Sequence, residues 1–293
     1  MKGVLSYCLF EPKSLPQHRF WDKDKNNPER YWFNIPAIAV INDILYPDYE
    51  TKLYVSKNIW DKNLSLILKI LSEEISNFVV ETVDRDYKLT EPAIWRMLPL
   101  WSRDKEIFHT RDLDSIPNEE EYKFIRIFEK SCCTLGTIRT HENHYGIKCR
   151  MLAGLSSFKP QLIPLNIKGL NFDTYYATKH LNYGSDQDLM IQYFTENKEY
   201  TKKFFLDFAT NNQKNEQDFP CVKIKQHEID NFSLSEEISK ILVLIKNHFG
   251  EFWAGIPLDT RGPFMNSILD LAPIVGERIN SNNTLREFYQ RSL

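Results

Sequence analysis

The chain has no surplus of positive charge to offer a polyanion. Its 37 Lys plus Arg stand against 40 Asp plus Glu, a formal net charge of −3 at pH 7. No global field therefore draws it to nucleic acid or to an anionic membrane, although local basic patches fit this balance. It also lacks an apolar run long enough to span a bilayer, and no signal peptide precedes the first apolar segment, Gly3-Val4-Leu5-Ser6-Tyr7. A cytoplasmic location is the expectation. The five cysteines (Cys8, Cys132, Cys133, Cys149 and Cys221) are odd in number and show no CxxC spacing. That favours reduced, mostly buried thiols over a disulfide framework, with Cys132 and Cys133 read as core thiols. There is no HExxH pattern, no internal repeat, no linker dividing two domains, and no Gly-rich phosphate loop in Cys8-Leu9-Phe10-Glu11-Pro12-Lys13. What is present is apolar and aromatic substance, 42% and 13% of 293 residues. This is enough for a large core in one domain spanning 1–293.

Periodicity gives an alternating order of strands and helices. Val4–Phe10 reads as a buried strand and Lys13–Asn27 as a polar loop. Arg30–Leu45 has helical spacing, with Pro36 admissible only in a first turn. Glu50–Ser56 alternates as a strand, Leu64–Ile75 as an amphipathic helix, Phe78–Val83 as a short strand and Pro92–Trp101 as a helix. Ile107–Thr110 is a buried strand. Asn118, three residues before Glu121, caps a helix over Glu119–Lys130. This rhythm predicts an α/β fold with a mostly parallel central sheet flanked by helices. Further on come a strand at Cys133–Ile138 and a segment Met151–Phe158 whose Gly154 suits close backbone approach. A helix opens after Ser185, another covers Lys198–Thr210, and Asn211–Asp218 is an exposed loop. Ser235–Phe249 is a strongly periodic helix, followed by a helical C-terminal region.

The stretch Arg111-Asp112-Leu113-Asp114-Ser115 stands out. In a parallel sheet, ligands bind beyond the carboxyl ends of strands, and Asp112 and Asp114 leave one such end. Two hard oxygen ligands on a sharp turn suit Mn²⁺ or Mg²⁺ bridging a diphosphate, though an acidic pair in a loop is also what a solvated turn looks like.

In the order of these features the chain resembles the nucleotide-sugar-dependent glycosyltransferases of the GT-A fold, and particularly a group with an Arg-Asp-x-Asp-Ser signature. That group is found in bacterial and viral polysaccharide synthesis. The resemblance is piecewise over roughly residues 3–195 and rests on several segments. They are Ser6-Tyr7-Cys8-Leu9-Phe10, Glu29-Arg30-Tyr31 through Leu53-Tyr54-Val55, Trp95-Arg96-Met97-Leu98, and Arg111-Asp112-Leu113-Asp114-Ser115. Arg139, His141 and His144 form an Arg-x-His-x-x-His run, with Thr140 where the family commonly has Asp. Leu152-Ala153-Gly154-Leu155 departs from the family at Ala153, and Gly184-Ser185-Asp186-Gln187-Asp188-Leu189 matches an acidic motif on the acceptor side.

The resemblance implies a nucleotide-binding half, 1–115, and an acceptor-binding half with C-terminal helices, 116–293. Donor and acceptor would be a nucleoside diphosphate sugar and a glycan hydroxyl. Asp114 would be the direct metal ligand, with Asp112 on the ribose or a metal-bound water and His248 as a positional candidate for a further ligand. A helix-terminal histidine explains His248 as well. Tyr7, Arg96, Arg111, Arg139, His141 and Arg261 are the donor-side candidates. Beside four of these stands a plainer role: a core aromatic for Tyr7, a surface charge for Arg96, a local ion pair for Arg111, a surface loop residue for His141. Asp188, with Asp186 as the alternative, would be the base of an inverting reaction, and a first-turn acid favoured by the helix dipole describes at least one of them. A sugar nucleotidyltransferase, or a non-catalytic binding protein on the same fold, are the competing readings.

Overall fold

The computed structural model describes residues 2–10, 31, 34–57, 62–86, 91–140, 151–164, 186, 187, 189, 197–209, 221–249 and 283. It is built on an eight-stranded sheet in the order β3-β2-β1-β4-β6-β5-β7-β8. The first half comprises β1 (Gly3–Leu9), α1 (Ile35–Leu45), β2 (Tyr49–Ser56), α2 (Lys62–Glu74) and β3 (Phe78–Val83). A 3₁₀ segment at Glu91–Met97 runs into the short α3 (Leu98–Ser102) and then β4 (Ile107–Thr110). Every pairing among β1 to β4 is parallel. The chain lays β2 and β3 on one side of β1 and then returns to place β4 on the other. That reversal opens a crevice at the carboxyl ends of β1 and β4, the usual ligand position in such sheets.

Residue chemistry explains these elements. The strands of a sheet covered on both faces read as continuous apolar runs, and Val4 to Tyr7 are all buried. Leu64, Ile67, Leu68 and Leu71 in α2 bury one helical face. Helix α1 is buried nearly all round, and Pro36 sits in its first turn, where no hydrogen bond is lost.

The second half adds α4 (Glu119–Lys130), β5 (Leu135–Arg139), β6 (Ser156–Phe158), α5 (Lys198–Phe204), β7 (Phe205–Ala209), β8 (Val222–Lys223), α6 (Gln226–Asp230) and α7 (Glu236–Phe249). Strand β6 runs antiparallel to β4 and β5, while β5, β7 and β8 pair in parallel. The mostly parallel α/β sheet is as expected, but the expected helix over Lys198–Thr210 stops at Phe204. Phe205-Leu206-Asp207-Phe208-Ala209 instead becomes β7, because its apolar residues fill a ladder against β5 that the periodicity of one segment does not reveal. Cys133 is buried as expected, whereas Cys132 is exposed and Cys8 and Cys221 are partly so. The expected loop at 211–218 and the expected C-terminal helices after 250 lie outside the described residues.

Two apolar clusters cover the faces of the sheet. The larger contains Leu5, Tyr7, α1, α2 and Phe124 and Phe128 of α4. The other gathers Val4, Ile94, Met97, Phe108, Met151, Phe158, Leu189 and Phe205. The second cluster matters for the site, since it packs the 3₁₀ segment, the 151 region and Leu189 together.

Candidate functional site

At the crevice, β4 hands the chain to Arg111, whose backbone N–H still bonds Ser6 O of β1 at 2.9 Å. The chain then turns. Ser115 closes the turn on Asp112 O, through its N–H at 3.3 Å and its Oγ at 3.1 Å. Asn118 Oδ1 accepts from Glu121 N at 2.9 Å and starts α4 as the sequence predicts. Asp112 and Asp114 are thus carried on a short closed turn between a rigid strand and a capped helix, both partly exposed.

The Asp112 carboxylate is held from two sides. One oxygen is bonded by Arg96 Nη1, which also donates to Arg111 O at 3.3 Å. From the other side comes the Gly154 backbone, packed so closely that a Cβ there would overlap the carboxylate. The close approach expected of Gly154 is therefore real, and its object is Asp112. Arg96 reaches a second acid: its Nη2 bonds Asp186 Oδ2. Burial opposes the Arg96 charge, but Asp112 and Asp186 more than offset this and hold its pKa well above the ordinary arginine value. Asp186 is 5% exposed, and its other oxygen accepts from Gln187 N at 2.9 Å. Gln187 in turn donates to Met151 O at 2.5 Å and accepts from Ala153 N at 3.1 Å. Residues from four separated segments are thus brought together.

Cys8, at the end of β1, lies under this group and donates weakly to Ala93 O at 3.7 Å. Burial first, then the two aspartates, push its thiol up to about 12 against the pull of Arg96. It is a neutral thiol and not a nucleophile at physiological pH.

Three expected donor contacts are turned inward. Tyr7 is fully buried, accepts from Asn42 Nδ2 at 2.9 Å, and has its phenol pKa raised chiefly by burial. Arg111 is 2% exposed and paired with Glu121, which takes up the local ion-pair role already set beside it. Arg139 donates through Nε and Nη2 to the two carboxylate oxygens of Asp207, at 3.0 and 2.6 Å, within the sheet. The physical reason is the same for all three. They sit inside or directly at the ends of buried strands, where an unpaired charge or hydroxyl costs far more than an internal bond.

His141, His144, Asp188 and Arg261 lie outside the described residues, as does the side chain of His248 at the end of α7. Among the described residues no group of three or more His, Cys, Asp and Glu forms a ready metal cage. Two partly exposed carboxylates on one turn nonetheless fit a hard divalent ion that keeps waters and takes diphosphate oxygens. The sequence marked Glu121 only as the capping partner of Asn118, not as the partner of Arg111, and did not single out Asp207. An acid in the first turn after a buried Arg, and an acid inside an apolar run, were the signals available.

No family model and no curated protein sequence matches the chain. Among solved structures it is similar to the crystal structure of S. aureus TarS 1-349, at 14% identity and a TM-score of 0.43. The match covers 96% of this chain and 83% of that one.

Proposed function

We propose that the protein is a nucleotide-sugar-dependent glycosyltransferase. It would move a sugar from a nucleoside diphosphate donor, UDP favoured, to a hydroxyl of a glycan acceptor. The observation that carries this reading is the Asp112 carboxylate, fixed between Arg96 and Gly154 at the crevice between β1 and β4, with Asp114 two residues on. In the transfer, the bond from the anomeric carbon to the diphosphate oxygen breaks and the electron pair leaves with the diphosphate. The acceptor oxygen bonds the same carbon and releases its proton to a base. Asp114 and Asp112 would hold Mn²⁺ or Mg²⁺, which supplies Lewis-acid stabilisation to the leaving diphosphate.

Asp186 has both oxygens engaged by Arg96 and Gln187, which supports a reading in which Asp188 would be the base of an inverting reaction. His141 and Arg261 as diphosphate contacts, and His248 as a further ligand, belong to the same proposal. Among the described residues no helix is long and apolar enough to cross a membrane; a cytoplasmic location completes the reading.

A thermal-shift screen of nucleoside diphosphate sugars with and without MnCl₂, followed by assay of released nucleotide with glycan acceptors, tests it. Ligand at 100 times its Kd adds about 2.7 kcal/mol of stability, an easily read shift. Stabilisation by UDP that needs the metal, with UDP release on acceptor addition, supports the reading. Stabilisation only by a nucleoside triphosphate with a sugar phosphate would favour a nucleotidyltransferase instead, and binding without turnover a non-catalytic protein.

A further inference from the structure

The contacts around Arg96 close on themselves. Asp112 bonds Arg96, Arg96 bonds Asp186, Gln187 grips Met151 and Ala153, and Gly154 in that same segment backs onto Asp112. Leu189, one residue beyond Asp188, is fully buried beside Ile94, Met97 and Met151. Leu189 is therefore anchored in the same apolar cluster as the 3₁₀ segment that carries Arg96, while Asp186 and Gln187 bond to Arg96 and the 151 region. One planar guanidinium thus sets the separation of two acids that lie on different parts of the chain.

The charges within the ring do not balance. Arg96 is buried at 7% exposure and serves two carboxylates with one positive charge. Asp112, whose side chain is 42% exposed, is the partner that a second cation can reach; the Asp186 side chain, at 6%, is not. A cation arriving at Asp112 supplies the missing charge there. The Arg96 charge is then shared less, and its bond to Asp186 strengthens.

We propose that Arg96 is a positioning residue that transmits occupancy of the donor side to the acceptor side. Binding of a metal–diphosphate at Asp112 and Asp114 tightens the 186–189 segment through this guanidinium. The inference rests on the donor reading above, but the ring of contacts exists without ligand and is separately testable.

Hydrogen exchange followed by mass spectrometry on the full chain, with UDP and Mn²⁺ as the probe, reads the transmission. In the unsubstituted protein, addition of both should slow exchange at 186–189 and 151–155 by about fivefold or more, the low end of ordinary coupling between sites. Arg96→Lys keeps a positive charge but replaces the fork with a single ammonium. At UDP and Mn²⁺ concentrations raised until the variant is saturated, it should lose most of that added protection, and Asp186→Asn should do the same. Undiminished ligand-induced protection in both variants would overturn the proposal. If the unsubstituted protein binds no UDP with Mn²⁺, the donor reading fails, and the ligand-free arm decides the ring. There Arg96→Lys should speed exchange at both 151–155 and 186–189. Unchanged exchange in Arg96→Lys would then overturn it.

Discussion

Asp112 and Asp114 lie two positions apart on one turn, both partly exposed. Asp112 is clamped by Arg96 and Gly154, which suits an orienting role. Gly154→Ala is the sharpest single change at this scale, because the Cβ must displace the carboxylate or its own backbone. It should cost about 1–3 kcal/mol, as other overpacking substitutions do, and weaken metal-dependent UDP binding with no charge removed. Denaturant titration and calorimetry together check it. That Gly154 needed a close neighbour was legible from a glycine set in an apolar run. The identity of the neighbour was not, since Asp112 is 42 positions away in sequence and meets it only through the sheet.

His109 gives a residue-scale prediction independent of function. It is 1% exposed in β4, with Nδ1 at 2.6 Å from Ser157 Oγ and Nε2 at 3.4 Å from Tyr49 OH. Tyr49 OH donates to Glu129 at 2.6 Å, so it accepts from His109 Nε2–H and Ser157 donates to Nδ1. Burial, aided by the charges of Arg111, Arg126 and Lys159, holds the His109 pKa well below its ordinary value. The unfolded chain protonates near pH 6.5 while the folded chain does not. Stability contributed by neutral His109 is therefore complete above about pH 6.5 and falls as pH drops below it, by at most ~1.4 kcal/mol per pH unit. His109→Gln should flatten that part of the stability profile; an unchanged slope between pH 6.5 and pH 5 would contradict the buried neutral histidine.

Local signals identified most elements. Phe78–Val83, Ile107–Thr110 and Glu119–Lys130 have the bounds that their periodicity and caps predict. Asn118→Ala removes the side-chain acceptor for Glu121 N and should cost about 0.5–2 kcal/mol, with Asn118→Asp near neutral. Thermal unfolding of the pair checks it. Strand β7 was not legible, because its five residues follow α5 without a break and only the ladder to β5 decides their conformation. The same distance effect hid the partners of Arg111 and Arg139. Each lies at the exit of a buried strand; the sequence offers a ligand contact or a local ion pair for Arg111 and only the ligand contact for Arg139, and Glu121 and Asp207 supply the pairs. The element starting near Asp186 carries a rate prediction. Asp188→Asn should lower kcat by ~10²–10⁴-fold with donor affinity nearly unchanged, the scale of general-base catalysis. A near-unchanged kcat would move the base elsewhere or point to a retaining reaction, which the anomeric configuration of the product reads by NMR.

At the scale of the whole molecule, the reversal of strand order about β1 fixes the carboxyl edge at which the proposed chemistry would be placed. The parallel half was predictable from its strand–helix alternation, and with it the position of the acidic turn at a carboxyl edge. The antiparallel insertion of β6 was not, yet it carries Gly154 to Asp112. The central claim is that this edge holds a metal-bound nucleoside diphosphate through Asp114. Calorimetric titration of UDP into the protein with and without Mn²⁺, repeated for Asp114→Ala, tests it most directly. The account predicts UDP binding that requires Mn²⁺ and is lost in Asp114→Ala while thermal unfolding shows the variant still folded; equal affinity in the variant and the unsubstituted protein would contradict it.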